Sequence, residues 1–371
     1  MGDIDLGIGK SARRAFSLDD VSIVPSRRTR DSEDVSIAWE IDAYRFAVPI
    51  LSAAMDSVTS PATAITLGRL GGLGVLNLEG VWTRYDDPEP LLAELAEVPA
   101  DRALARLREI YAAPIREELI GKRIGAVKEA GVTAAAALTP HQTERYYRFA
   151  VEAGVDILVV QSTVVSAQHV SSTSTPLNLR TFIAGIDTPV IVGGTANYQT
   201  ALHLMRTGAA GLLVGVGAGQ ACTVSTALGV GVPLATAIAD AAGARRDYLD
   251  ESGGRYVHVI ADGGLRTGGD IAKAIACGAD AVMMGAALAH ATEAPGRGWH
   301  WGPGTSHATL PRGTRTATPP IGNLTEIVTG PSSAPDGSLN LAGGLRRAMA
   351  TTGYSSVKEF QRVEVAVRPT P

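Results

Sequence analysis

The sequence predicts an α/β chain: a (β/α)8 TIM barrel with extra helices after the second strand and a C-terminal extension. Three observations carry that prediction. Short apolar runs recur eight times, amphipathic stretches separate most of them, and glycines close several of those stretches. The runs lie at 49–53, 73–77, 132–138, 155–161, 189–193, 211–215, 256–262 and 281–285. Runs apolar at every position suit parallel strands buried on both faces. The helical stretches 140–153, 197–207 and 267–276 are followed by Gly154, Gly208 and Gly278, the residue type favoured where a helix turns left-handed and stops. A doubly wound sheet gives the same alternation, because strand order leaves no mark on the sequence.

Two regions break the alternation. Residues 83–130 are charged and helical, and supply extra helices between strands two and three. Residues 286–371 follow the eighth strand, begin with a long loop-like stretch rich in Gly and Pro, and end in a helix at 341–351 and a polar tail. The whole chain, 1–371, reads as a single catalytic-type barrel domain.

Composition narrows the partners. Of 371 residues, 45% are hydrophobic and 19% charged, enough to bury a core and too apolar for disorder. A net charge of −4 argues against nucleic acid or an anionic membrane as a partner held by bulk charge. Cys222 and Cys277 are the only cysteines, which excludes a disulfide framework and suits a reducing compartment. The polar start MGDIDLGIGKSARR lacks the apolar centre of a secretory leader, and no apolar run is long enough to span a bilayer. The expectation is a cytoplasmic protein.

Barrel active sites form where the strands end, often with a phosphate held after strands seven and eight. Those ends read IADGGLRTGG and MMGAA. Gly263, Gly264 and Gly285 would offer bare backbone N–H groups to an anion, and Asp262 would accept from a ribose-like diol. An ordinary turn with an Asp cap is the plainer reading of either segment alone. The sixth strand runs into GVGAGQACTV, where alternating glycines let carbonyls converge and Cys222 stands at the strand's mouth as a candidate nucleophile. Cys277, on an apolar helix face, exemplifies the inert alternative. GVGAGQ fails the dinucleotide fingerprint at Gln220, the GIGKS segment lacks the first glycine of a P-loop, and the seven histidines show no zinc spacing. His258 reads as structural. His300, between two tryptophans, either faces a ligand or sits in an aromatic cluster.

At these residues the chain resembles the IMP dehydrogenase/GMP reductase family over nearly its whole length. The segments FSLDDVSIVP, VPILSAAMDSVTSP, GGLGVL, GVGAGQACTVSTALGVGVP, ADGGLRTGGDIAKAIACGADAVMMG, GNLTEI and GGLRRAMATTGY are similar to that family's blocks, in its order. The resemblance implies a homotetramer with a purine nucleotide (IMP, XMP or GMP) and NAD or NADP stacked at the barrel mouth. Cys222 falls on the nucleophile and Asp262 on the ribose-binding acid. Gly264 and Gly285 fall on the phosphate glycines, with Gly263 between acid and cradle and Ser52 also on the substrate side. Gly302 and Gly304 fall on the loop that holds the base, and Gln161 and Gly215 on the cofactor side. Carbonyls of Gly217, Gly219 and Cys222 fall on those that bind potassium in the family. The tandem CBS domains common in the dehydrogenases are missing, since residues 83–130 cannot hold them.

Departures from the pattern bear on activity. Val224 replaces a catalytic Thr, Gln220 and Ala286 replace phosphate-side Ser residues, and Gln161 replaces an Asp. Pro303 removes an N–H from the base-holding loop. The mobile flap whose Arg activates water is shortened to residues 305–310, and Arg312 is the nearest substitute. The sequence therefore reads as an IMP dehydrogenase-type oxidoreductase of altered turnover. A GMP reductase-like enzyme, a non-catalytic nucleotide-binding protein and a flavin barrel are the rival readings.

Overall fold

A computed structural model describes residues 4–172 and 175–368; the first three residues of the polar start lie outside them. Each apolar run holds one strand: β1 (Ile50–Ser52), β2 (Leu73–Asn77), β3 (Ala135–Leu138), β4 (Ile157–Gln161), β5 (Val190–Thr195), β6 (Gly211–Val214), β7 (His258–Asp262) and β8 (Ala281–Met284). All eight are parallel, and β8 pairs back onto β1 with Val282 opposite Ile50 and Met284 opposite Ser52. That closure eliminates the doubly wound alternative.

Period-two geometry explains why the runs are apolar throughout. Leu51, Val75, Val159, Ile191, Leu213, Ile260 and Met283 point inward and fill the barrel. Their neighbours Ile50, Val160, Val192, Leu212, Val214 and Val282 point outward against the helices. Each such side chain, fully buried, contributes about 1.5–3 kcal/mol. The N-terminal end is closed by a hairpin of Trp39–Ile41 and Tyr44–Phe46, whose Trp39 and Phe46 rings stack at 5.1 Å. With that end plugged, the opposite end is the one left open.

The helices follow their local signals. Ser60 caps Pro61–Arg69 and Thr267 caps Gly268–Ala276, each through a reciprocal capping box. Residues 83–130 form the extra helices Glu89–Glu97, Ala100–Ala112 and Glu117–Glu129. After β8 the long stretch is more ordered than its composition suggests. Trp299–His300 pairs with Thr316–Ala317, and Pro303–Ser306 forms a 3-10 turn. The helix Leu341–Thr351 packs on Gly268–Ala276 at a glycine contact, where a Cβ on Gly268 would lie 2.9 Å from the Gly344 Cα. The polar tail is a correction: it carries a helix, Val357–Phe360, and a strand, Val365–Val367, that pairs antiparallel with Val21–Ile23.

That tail is anchored by one buried carboxylate at the foot of β8. Asp280 accepts from Arg245 (2.7 Å), Tyr256 (2.7 Å), the Val259 N–H (2.8 Å), Lys358 (2.9 Å) and Gln361 (3.0 Å). Arg245 first, then Lys358, outweighs the cost of burial and holds its carboxyl down at about 2. His258 lies 4.0 Å away and burial holds its imidazole neutral, down at about 4, so its role is structural, as the sequence suggested.

Removing one member of a buried, paired network typically costs about 3–5 kcal/mol, so Asp280→Ala should lose that much in urea unfolding. Because the folded carboxyl lies below its ordinary 3.8, its stabilisation is complete above that pH and lost as pH falls through about 2. Asp280→Asn should flatten that acid limb of the stability curve; an unchanged limb would assign it to other carboxylates.

Candidate active site

The open end of the barrel is a cavity of about 1340 Å³ lined by the strand ends and the loops that follow them. Local geometry brings the loops together. Gly215, the exit of β6, sits at φ 152°, and any Cβ there would lie 1.9 Å from the Asp262 carbonyl. Only glycine lets β6 and β7 leave the barrel this close together, which sets the Cys222 loop beside Asp262.

The Cys222 loop is held from both sides. The Cys222 N–H donates to the Gly219 carbonyl at 3.0 Å. Cys222 is bridged to Gly313, with the Thr223 N–H on the Arg312 carbonyl (3.2 Å) and the Thr314 N–H on the Ala221 carbonyl (2.9 Å). The Arg312 N–H in turn bonds the Gly304 carbonyl at 2.9 Å. These backbone hydrogen bonds thus join the Cys222 loop to the segment that follows Gly302. Val224 is buried at the start of Val224–Leu228 and has no proton to give. The Arg312 Nε is buried with no acceptor among the described residues.

Asp262 ends β7 on the cavity wall, and burial alone pushes its carboxyl up to about 7. Gln161 donates to it at 3.3 Å. Gly263 and Gly264 follow at φ 93° and 75°, left-handed backbone that glycine adopts freely, and both line the opening. Gly285 faces His300: a Cβ there would lie 3.3 Å from the imidazole Cε1. His300 bonds Ser57 through Nδ1 at 3.0 Å and is held neutral by burial, down at about 4. It therefore stands on the cavity wall.

Of the residues read from sequence, Cys222, Arg312, Asp262, Gly263, Gly264, Gly285, Gly302, Gly304, Gln161, Gly215, Gly217 and Gly219 all line this one cavity. Ser52 does not. Its hydroxyl accepts from Thr59 (2.7 Å) and from the Val75 N–H (3.3 Å) behind the strand, and the cavity begins at Ala53. The correction follows from strand alternation, which turns Ser52 outward. The proposed potassium carbonyls are engaged within their own loop, Gly217 by Ser225 Oγ (3.3 Å) and Gly219 by Cys222.

Sequence reasoning missed one wall. Asn77 ends β2, Glu79 and Arg84 follow it, and Arg108 and Tyr111 come from Ala100–Ala112. Behind them Asp56 is buried, accepts from Tyr111 at 2.5 Å, and is pushed up to about 6 by burial. Tyr111 also accepts from Trp301 Nε1 at 3.0 Å, tying the added helix to the strand before Gly302. The available signal was a polar pair three residues apart, off the buried stripe of Ala103, Leu107 and Ile110.

A family model described as IMP dehydrogenase / GMP reductase domain matches residues 15–371. The chain is 51% identical over 372 residues to an uncharacterized oxidoreductase of Mycolicibacterium smegmatis, covering 98% of this chain and 99% of that one. It is 27% identical over 484 residues to an inosine-5'-monophosphate dehydrogenase of Methanocaldococcus jannaschii, covering 97% and 94% respectively. It is also similar to the crystal structure of an IMP dehydrogenase/GMP reductase-like protein from Corynebacterium glutamicum. That match has a TM-score of 0.93 and 47% identity, and covers 99% of this chain and 98% of that one.

Two outcomes test this geometry. Gly264→Val puts a β-branched residue at φ 75° with its Cβ 3.0 Å from the Ala218 carbonyl. IMP binding should be abolished while circular dichroism stays that of the folded barrel; unchanged affinity would remove the cradle from the site. Asp262 prefers its protonated form when folded, so ionisation destabilises the ligand-free protein as pH rises from about 3.8 through about 7. Asp262→Asn should raise stability at pH 8 by about 1–2 kcal/mol, allowing for screening at its exposed edge, and by nothing at pH 4.

Proposed function

Because the chain belongs to the IMP dehydrogenase / GMP reductase family, we propose that this oxidoreductase converts IMP to XMP with a nicotinamide cofactor, in guanine nucleotide synthesis. The observation that supports it is the meeting of a loop cysteine, a desolvated aspartate and a glycine cradle in one cavity. Cavities for one small ligand measure roughly 300–1,000 Å³. A volume of about 1340 Å³ leaves room for a nucleotide and a second ligand beside it.

In this reading Gly263, Gly264 and Gly285 hold the nucleotide phosphate and Asp262 accepts from the ribose diol. Cys222 Sγ adds to the purine carbon between the two ring nitrogens, and that carbon then loses hydride. Gln161 and Gly215 would hold NAD or NADP, which would supply the hydride acceptor. Water adds to the same carbon, the C–S bond breaks, and Cys222 leaves as thiolate. Arg312 orients that water, and the proton the water loses passes to solvent. With Val224 in place of a hydroxyl and the flap shortened, hydrolysis becomes the slow half of the reaction. We further propose that 1–371 works as one barrel domain in a cytoplasmic homotetramer. Among the described residues, no helix is long and apolar enough to cross a membrane.

Losing a positioned general base costs about 10²–10⁴ in rate, so a nucleotide–Cys222 adduct should accumulate. Intact-protein mass spectrometry after IMP and NAD should show a nucleotide-sized increase, absent in Cys222→Ala, with a burst of NADH and slow later turnover. Neither adduct nor NADH, under conditions where IMP binds, would favour the non-catalytic binding protein instead. Fast turnover untouched in Arg312→Ala would place water activation elsewhere.

A further inference from the structure

The wall built by Ala100–Ala112 presents a cation with no carboxylate partner among the described residues. Arg106, two residues earlier, is tied to Glu94 (2.7 Å) and Glu109 (2.8 Å) on the outer face. Arg108 lines the cavity instead, and its Nε is buried with no acceptor among the described residues. Tyr111 stands one turn along the same face. Arg84 lies over the Tyr111 ring, its Cζ 6.0 Å from the centroid. Arg84 donates through Nε to the Glu79 carbonyl at 3.0 Å and has two carboxylates nearby, Asp56 and Glu79, to offset its charge. Arg108 has no such partner among the described residues. A guanidinium with a desolvated N–H in a ligand cavity is an anion site waiting for its acceptor.

This wall is also away from the glycine cradle. The cradle follows β7 and β8, whereas Ala100–Ala112 lies between β2 and β3, on the other side of β1 in the barrel order. An anion at Arg108 therefore belongs to the second ligand and not to the nucleotide whose phosphate sits on Gly264 and Gly285. We propose that Arg108, beside Tyr111 and Arg84, is an anion-binding subsite for a phosphate of the nicotinamide dinucleotide. This rests on the reading above, in which such a cofactor shares the cavity. The phosphate is either the bridging diphosphate, present in NAD and NADP, or the 2'-phosphate that NADP alone carries.

The test titrates the full-length wild type, Arg108→Ala and Arg108→Lys with IMP, NAD and NADP by calorimetry, the dinucleotides in the presence of saturating XMP, which gives up no hydride. Loss of one charge-assisted contact should weaken dinucleotide binding by about ten- to a hundredfold. IMP affinity should stay within about twofold, and Arg108→Lys should recover part of the loss. Equal weakening of NAD and NADP assigns the diphosphate; weakening of NADP alone assigns the 2'-phosphate. Arg108 carries no internal hydrogen bond or ion pair among the described residues, so the unfolding temperature should not move. Wild-type dinucleotide binding unchanged in Arg108→Ala overturns the subsite and leaves the proposed reaction standing. Equal loss of IMP and dinucleotide also overturns it. A wild type that binds IMP but neither dinucleotide overturns the reaction and the subsite together.

Discussion

The hydrogen-bonded closure of β8 onto β1 is the constraint on which the cavity depends. Pairing Met284 with Ser52 carries the two strands out of the barrel side by side, and the Ala53 N–H continues the ladder to the Met284 carbonyl at 3.0 Å. The next residues then meet across the opening. A Cβ on Gly285 would lie 3.4 Å from the Met55 sulfur, and one on Gly302 would lie 3.3 Å from the Met55 methyl. The first strand, the last strand and the loop beyond it therefore share one floor. Without closure these segments, some 230 residues apart in sequence, would have no common neighbour.

The two ends of the barrel treat buried carboxylates in opposite ways. At the foot, Asp280 is surrounded by five donors and held fully ionised. At the mouth, Asp262 has one long contact from Gln161, and burial raises it toward neutrality. The first arrangement ties the tail to the barrel and stabilises the fold. The second leaves acceptor capacity unused, which a stable core avoids and a binding site requires. Arg108 and Arg312 repeat the pattern with donors in place of acceptors.

Strand positions were legible because a parallel barrel buries both faces of each strand, which forces unbroken apolar runs with little competition from other patterns. Closure was not legible, since pairing of β8 with β1 depends on long-range contact and not on local composition. Most of the candidate site was legible for a related reason: glycines and a cysteine at strand ends mark places where backbone must come close to something. Ser52 was misplaced by one step of a two-residue period, and that step turns a side chain from cavity to core. The Arg108 wall was hidden because a helix with a good buried stripe accounts for itself; the sequence does not say that its other edge faces an opening. The tail strand Val365–Val367 was hidden because three exposed residues make too short an apolar run to read as a strand.

The strand-like bridge between Cys222 and Gly313 makes two functional loops one mechanical body. Backbone bonds from Thr223 and Thr314 would have to break before either loop could swing alone. Any displacement that admits a ligand must carry the Cys222 loop and the 302–314 segment together. Their mutual aim is then a property of the resting protein, fixed before a ligand arrives. Such an enzyme has little orientation entropy left to lose on binding, and correspondingly little tolerance for a ring of different shape.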